Sequence, residues 1–149
     1  MERKTSMPQG IFKILIFTVM IMSAAVAQAQ DNLAVGAVFE KYGMRKGCKM
    51  VTLVDGKLKG RQLKLYKSLT YRAYGSEIVG MLKADRKRAR KITEVVVDGC
   101  VESGFYVFPP RDGGLNRYML YRRVSDKAGA VIYIEAYLPP DEIRKICRR

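Results

Sequence analysis

From Asn116 to Leu138 the chain reads NRYMLYRRVSDKAGAVIYIEAYL, two β-rich runs on either side of a Ser-Asp-Lys-Ala-Gly turn. In the second run Ala130, Ile132, Ile134, Ala136 and Leu138 share one side. Val131, Tyr133, Glu135 and Tyr137 share the other, the period-2 pattern of a half-buried strand. This predicts a long hairpin with one dry face, around which the rest of the sheet is completed and covered.

Upstream, Val35, Val38, Phe39 and Tyr42 recur at helical spacing behind Asp31, a candidate N-cap, and Gly43 and Gly47 end that helix. Met50 to Val54 is expected as a first strand, Asp55-Gly56 with Gly60 as a turn or short loop, and Gln62 to Tyr71 as a second strand. In the latter Leu63, Leu65, Leu69 and Tyr71 share a face, Lys64, Tyr66 and Ser68 lie opposite, and Lys67 breaks the alternation. Ser76 is a candidate cap for the longest helix, Glu77 to about Ile92. Its apolar stripe is Ile78, Val79, Leu82, Ala89 and Ile92.

Glu94 to Val97 and Gly104 to Phe108 flank Asp98-Gly99, a hairpin turn signal. Pro109-Pro110 and Asp112-Gly113-Gly114 are expected to stop the second of these runs. Pro139-Pro140-Asp141-Glu142 opens a short last helix with Ile143, Ile146 and Cys147 on one side. The order α-β-β-α-β-β-β-β-α predicts a single α+β domain. It would have a mostly antiparallel sheet of about five to six strands with helices packed on one face.

The apolar run Ile14 to Val26 has a different character. Arg3 and Lys4 precede it and Ala27-Gln28-Ala29 follows, the layout of a signal peptide cleaved after Ala29. It is shorter than the roughly 20 apolar residues a bilayer span needs. The expectation is a leader over residues 1–29, a mature domain over 30–149, and an exported, periplasmic or secreted protein with no membrane anchor after cleavage. Met1 and Met7 both stand as possible starts.

Charge changes the picture most. The 149 residues carry 28 Lys and Arg against 14 Asp and Glu, a net +14, with no His. Residues 1–29 hold Arg3, Lys4 and Lys13 against Glu2, so the mature domain keeps +12. With 48% hydrophobic residues the chain has the composition of a globular domain, not a disordered one.

Several segments resemble a set of small exported proteins of unknown function from Bacteroidota. They are Phe39-Glu40-Lys41-Tyr42-Gly43, Lys46-Gly47 leading to Met50-Val51, Tyr66-Lys67-Ser68-Leu69, Asn116-Arg117-Tyr118 with Leu120-Tyr121-Arg122, Ile132-Tyr133-Ile134-Glu135 and the closing Pro-Asp-Glu-Ile helix. The resemblance covers nearly the whole mature chain and implies an envelope location and one α+β domain. It carries no activity and no site residue.

The absence of His removes Ser-His-Asp and Cys-His arrangements and every His-ligated metal site. No G-x-S-x-G, S-x-x-K, G-x-G-x-x-G or G-x-x-x-x-G-K-[ST] occurs. No cofactor is implied. Glu94, Asp98 and Glu102, four apart, are the one carboxylate set that general acid chemistry would use, set against the plainer reading of solvated strand and turn residues. Three cysteines, Cys48, Cys100 and Cys147, allow one disulfide and one free thiol in an oxidising compartment. Lys46 and Lys49 beside Cys48, and Lys145 and Arg148 beside Cys147, are placed to lower a thiol pKa. The plainer reading is buried, inert cysteine.

The remaining signal is the basic stretch of the long helix, with Lys83, Arg86, Lys87, Arg90 and Lys91 as candidate anion-binding residues against a single acid, Asp85. If the register paired Leu120 with Ile134, the outer face of the hairpin would add Arg117, Tyr121 and Arg123, with Tyr133 and Tyr137. Arg and Tyr together grip anions and stack on flat rings. The leading expectation is a non-enzymatic binding module for an anionic envelope polymer or an acidic protein partner. Export and the lack of a recognition motif disfavour nucleic acid. The alternatives are an enzyme or redox protein using an unpaired cysteine or the Glu94, Asp98 and Glu102 carboxylates, and a structural module associating through a sheet edge.

Overall fold

The structure, a computed structural model, describes residues 33–148. The expected leader, its cleavage point at Ala29 and the Asp31 cap lie outside the described residues. The elements are α1 (Ala34–Tyr42), β1 (Cys48–Leu58), β2 (Arg61–Tyr71), α2 (Gly75–Arg88), β3 (Arg90–Val97), β4 (Cys100–Arg111), a 3-10 turn (Asp112–Gly114), β5 (Leu115–Arg123), β6 (Gly129–Ala136) and α3 (Pro140–Cys147). This is the expected α+β order.

Six strands form one sheet in the order β1-β2-β6-β5-β4-β3, and every neighbouring pair is antiparallel. A first hairpin, β1–β2, is followed by α2, which carries the chain to the far edge. From there β3 to β6 meander back until β6 closes on β2. Two of the reversals are two-residue turns whose central residues are all left-handed: Lys59-Gly60 (φ 49° and 78°) and Asp98-Gly99 (φ 50° and 77°). That geometry matches the twist of the flanking strands and is the one a following glycine favours. The expected turn at Asp55-Gly56 is instead a point within β1, where Asp55 is left-handed (φ 48°) and the strand continues. Likewise β4 runs through Pro109-Pro110 to Arg111, with its pairing interrupted between Phe108 and Arg111, where proline has no N–H to donate.

Register decides the faces. Leu120 pairs with Ile132 and Tyr118 with Ile134, a two-residue shift from the register considered above, so each side chain keeps its expected side of the sheet. One face carries Leu69, Tyr71, Tyr106, Met119, Tyr121, Val131 and Tyr133, all buried. Val35, Val38, Phe39 and Tyr42 of α1, with Ile78 and Leu82 of α2, are buried as well, and contacts such as Lys67 with the Phe39 ring place the two helices on this face. The other face carries Phe105, Tyr118, Ile134 and Ala136, which form a second cluster with Ile143 and Ile146 of α3.

Both faces are therefore dry where helices cover them. The expectations of a single dry hairpin face and of helices on one face are corrected together. Val131, Tyr133 and Glu135 needed cover as much as Ile132 and Ile134 did, and the short Tyr137–Pro139 connection returns α3 over the second set. Lys67 breaks the alternation of β2 without breaking the layer. Its ammonium stands 5.9 Å from the centre of the Phe39 ring.

Candidate functional site

The long helix is shorter than its apolar stripe suggested. α2 ends at Arg88, Ala89 is extended (φ −89°, ψ 154°), and Arg90 pairs with Val107 as the first residue of β3. The β-branched run from Ile92 to Val97 is drawn into the sheet, and Ile92 packs on the α3 cluster. Arg90 and Lys91 are thus strand residues, not helix residues. At the other end Tyr74 takes the cap position in a left-handed conformation (φ 67°), and Ser76 makes no capping bond.

Asp85 is the one acid among the cations of α2, and it is fully buried. It stands three and seven residues after Leu82 and Ile78, on the stripe that faces the core. Its Oδ1 accepts the Ala34 amide at 2.8 Å and its Oδ2 the Val35 amide at 2.7 Å. The first turn of α1 is thereby capped by a side chain from the neighbouring helix. Burial pushes the Asp85 carboxyl above its ordinary range, against the opposing pull of those two donors and of Arg88 and Arg117.

With Asp85 turned inward, the outer side of α2 beyond Gly80 holds no carboxylate. Lys83, Lys87 and Arg88 are exposed there, and Arg90 and Lys91 continue the exposed basic run into β3. Lys91 is engaged, its Nζ 3.2 Å from Glu94.

The other candidate cations go elsewhere. Arg86 is half-buried beneath α2, where its charge reaches Tyr106, Tyr121 and Glu94, and its buried Nε makes no hydrogen bond. Arg117 donates from Nε and Nη2 to the Pro109 carbonyl at 3.0 and 2.9 Å and lies 5.9 Å from the Phe108 ring. Tyr121 is buried beside Tyr71, and Arg123 is paired with Glu102 at 2.9 Å and with Asp126. These hairpin residues occupy the face beneath α1 and α2, not an outer face. Tyr133 is buried with them, and Tyr137 lies beyond β6 and is exposed.

The carboxylates considered for acid chemistry are separated. Glu94 accepts the Tyr106 hydroxyl at 2.6 Å, Asp98 is a turn residue, and Glu102 is held by Arg123. The Tyr106 hydroxyl, and after it Lys91, holds the Glu94 carboxyl below its ordinary range.

All three thiols are free. Cys48 begins the edge strand β1 and Cys100 begins β4, four strand spacings or roughly 19 Å away, well beyond disulfide reach. The expected lowering of thiol pKa by neighbouring cations is not what the structure gives. Burial pushes Cys48 up, and pushes Cys147 up to about 11 despite Lys59 nearby. Cys100 is exposed beside the Asp98-Gly99 turn. Among the described residues no group of three or more His, Cys, Asp or Glu could hold a metal ion, and no helix is long and apolar enough to cross a membrane.

Two features escaped the sequence reading. The position of Asp85 on the 78-82-85 stripe was a legible sign of burial. The second is Glu135, also buried, whose Oε1 accepts the Tyr133 hydroxyl at 3.0 Å and lies 3.5 Å from Arg111. Nothing local to β6 announces that partner, because Arg111 arrives from β4.

The profile of a family of unknown function, DUF6108, matches residues 22–147, and the chain belongs to that family. No curated protein and no solved structure matches it.

Proposed function

We propose that this member of DUF6108 is an exported, non-enzymatic binding module whose partner is anionic, an envelope polymer or an acidic protein, held at the C-terminal end of α2 and the start of β3. The observation that carries the reading is the inward Asp85. It is spent on the α1 amides, so Lys83 and Lys87 stand on the surface of α2 with no carboxylate between them, and exposed Arg90 continues the basic run into β3. A domain needs far less than +12 for solubility. The leader-like residues 1–29 support export, and export favours envelope anions over nucleic acid.

Thiol or acid catalysis is the weaker reading. The Cys48 and Cys147 thiols are raised, away from a reactive thiolate, and Glu94 is held anionic at neutral pH. No cofactor enters this reading.

The test is retention of the chain on peptidoglycan, lipopolysaccharide, heparin and DNA as salt is raised, beside Lys83→Glu/Lys87→Glu/Arg90→Glu. At about 1 kcal/mol per cation near an anionic surface, the triple variant loses at least about 100-fold in affinity for the true ligand class. A matched Lys46→Glu/Lys49→Glu/Lys57→Glu control keeps it. Equal release of all proteins from all four polymers would reduce the charge to a solvated surface.

A further inference from the structure

β3 is the last strand of the sheet, so one row of its backbone N–H and C=O groups faces away from β4. An open edge of this kind templates a further strand unless charge, a bulge or a cover blunts it. The end of β3 is Val95-Val96-Val97, which are 45%, 54% and 49% exposed, with no charge among them. Its beginning is Arg90 and Lys91, both exposed, joined through Ala89 to the basic end of α2.

The other edge offers less. On β1, exposed Met50 and Val51 are separated from Val54 by Thr52 and half-buried Leu53, and the left-handed Asp55 then breaks the run.

We propose that β3 is a docking strand for an extended acidic peptide segment of a partner protein, with carboxylates against Arg90 and Lys91 and apolar side chains beside Val95, Val96 and Val97. The proposal rests on the anionic-partner reading and narrows it from any anion to a polypeptide. Only a polypeptide satisfies the open backbone row by adding a strand; a glycan or a lipid headgroup meets the cations and leaves that row to water. Charge also selects the occupant, since a second copy would bring together two strongly basic domains, each +12 once residues 1–29 are removed. Pairing irregularities between Lys91 and Thr93 and between Val95 and Val96 keep each flat stretch of β3 short, which suits a short segment.

The test titrates the full chain with a fluorescent peptide of alternating Glu and Val, and with two versions N-methylated on alternate residues, one set for each edge of the peptide. A peptide that adds as a strand bonds through one edge only. One N-methylated form is therefore expected to lose at least about tenfold in affinity, from the loss of two or more hydrogen bonds, while the other binds like the parent. Val95→Ser/Val97→Ser, which removes the apolar contacts without adding charge, should weaken the parent peptide, and amide exchange along β3 should slow when it binds.

Equal binding of both N-methylated forms, or no peptide binding by a chain whose retention on an anionic polymer still depends on Lys83, Lys87 and Arg90, overturns strand docking and leaves the anionic reading standing. Loss of that polymer dependence with peptide binding intact overturns the broader polymer reading instead. A concentration-dependent dimer in sedimentation that Val95→Lys/Val97→Lys dissociates would assign the edge to a second copy and overturn the proposal.

Discussion

The Asp85 carboxylate accepts the Val35 amide at 2.7 Å, so a residue near the end of one helix supplies the cap for the start of another, 50 positions earlier in the chain. The same bond removes the only acid from the basic side of α2. Asp85→Ala leaves the Ala34 and Val35 donors without an acceptor in a site the protein itself buries. The expected cost is about 2–3 kcal/mol, the sum of a lost cap and an unsatisfied buried donor. Asp85→Asn, which keeps one carbonyl acceptor, should cost about half of that. Urea denaturation of the two variants tests this; equal stability of Asp85→Ala and the parent would show that α1 does not depend on the cap.

Glu94 and Tyr106 give a pH dependence with a definite sign. The folded Glu94 carboxyl is held below its ordinary range, first by the Tyr106 hydroxyl. The folded state therefore binds this proton less readily than the unfolded state. Its contribution is fully present above the unfolded value of about 4.3 and is lost as pH falls through that value and then through the lower folded one. Glu94→Gln should flatten the acid limb of a plot of stability against pH while leaving the rest of the curve in place. Identical acid limbs would remove Glu94 from the account.

Two glycines should respond to alanine with opposite signs. A Cβ on Gly104 would stand 2.4 Å from ring atoms of Tyr106, which is fully buried and cannot swing away. Gly104→Ala should cost about 1–3 kcal/mol and disturb the Tyr106–Glu94 bond. Gly80, exposed in α2, has nothing within 4 Å of such a Cβ. There alanine should stabilise by about 0.4–1 kcal/mol, through helix propensity and a less disordered unfolded chain. Thermal melts of the two variants check both signs.

Thiol labelling should follow position and ionisation. Exposed Cys100 should react first with iodoacetamide at pH 7.5, then Cys48, whose pKa burial raises, and last Cys147, raised to about 11. Mass spectrometry of a timed reaction gives the order. Fast labelling of Cys147 would contradict the packing of α3 and revive the case for a reactive thiol there.

Single strands and helices were read well where the signal was local. The 35-38-39-42 stripe of α1, the Asp98-Gly99 turn and the Pro140 start of α3 depend on residues within a few positions of one another, and each stands as expected. The helical stripe continues past Arg88 into Ala89 and Ile92, so periodicity alone carries α2 too far. The competing pull, pairing of Arg90 with Val107, comes from a strand not yet formed in sequence order. The candidate site divided for the same reason. Lys83, Lys87, Arg90 and Lys91 stayed on the surface, while Arg86, Arg117, Tyr121 and Arg123 were carried to the face beneath the helices.

What the sequence by itself determined is the α+β order of elements, the Asp98-Gly99 turn and the excess of positive charge, because periodicity, turn chemistry and composition are properties of short stretches or of the whole sum. Which face of each strand is covered, where α2 yields to β3, and which cations remain on the surface were decided only by the tertiary structure. Both sides of β6 carry apolar residues, and nothing along that strand says which helix will cover which side. That choice follows from strand order and register, which join residues such as Asp85 and Val35 or Arg111 and Glu135 across distant parts of the chain.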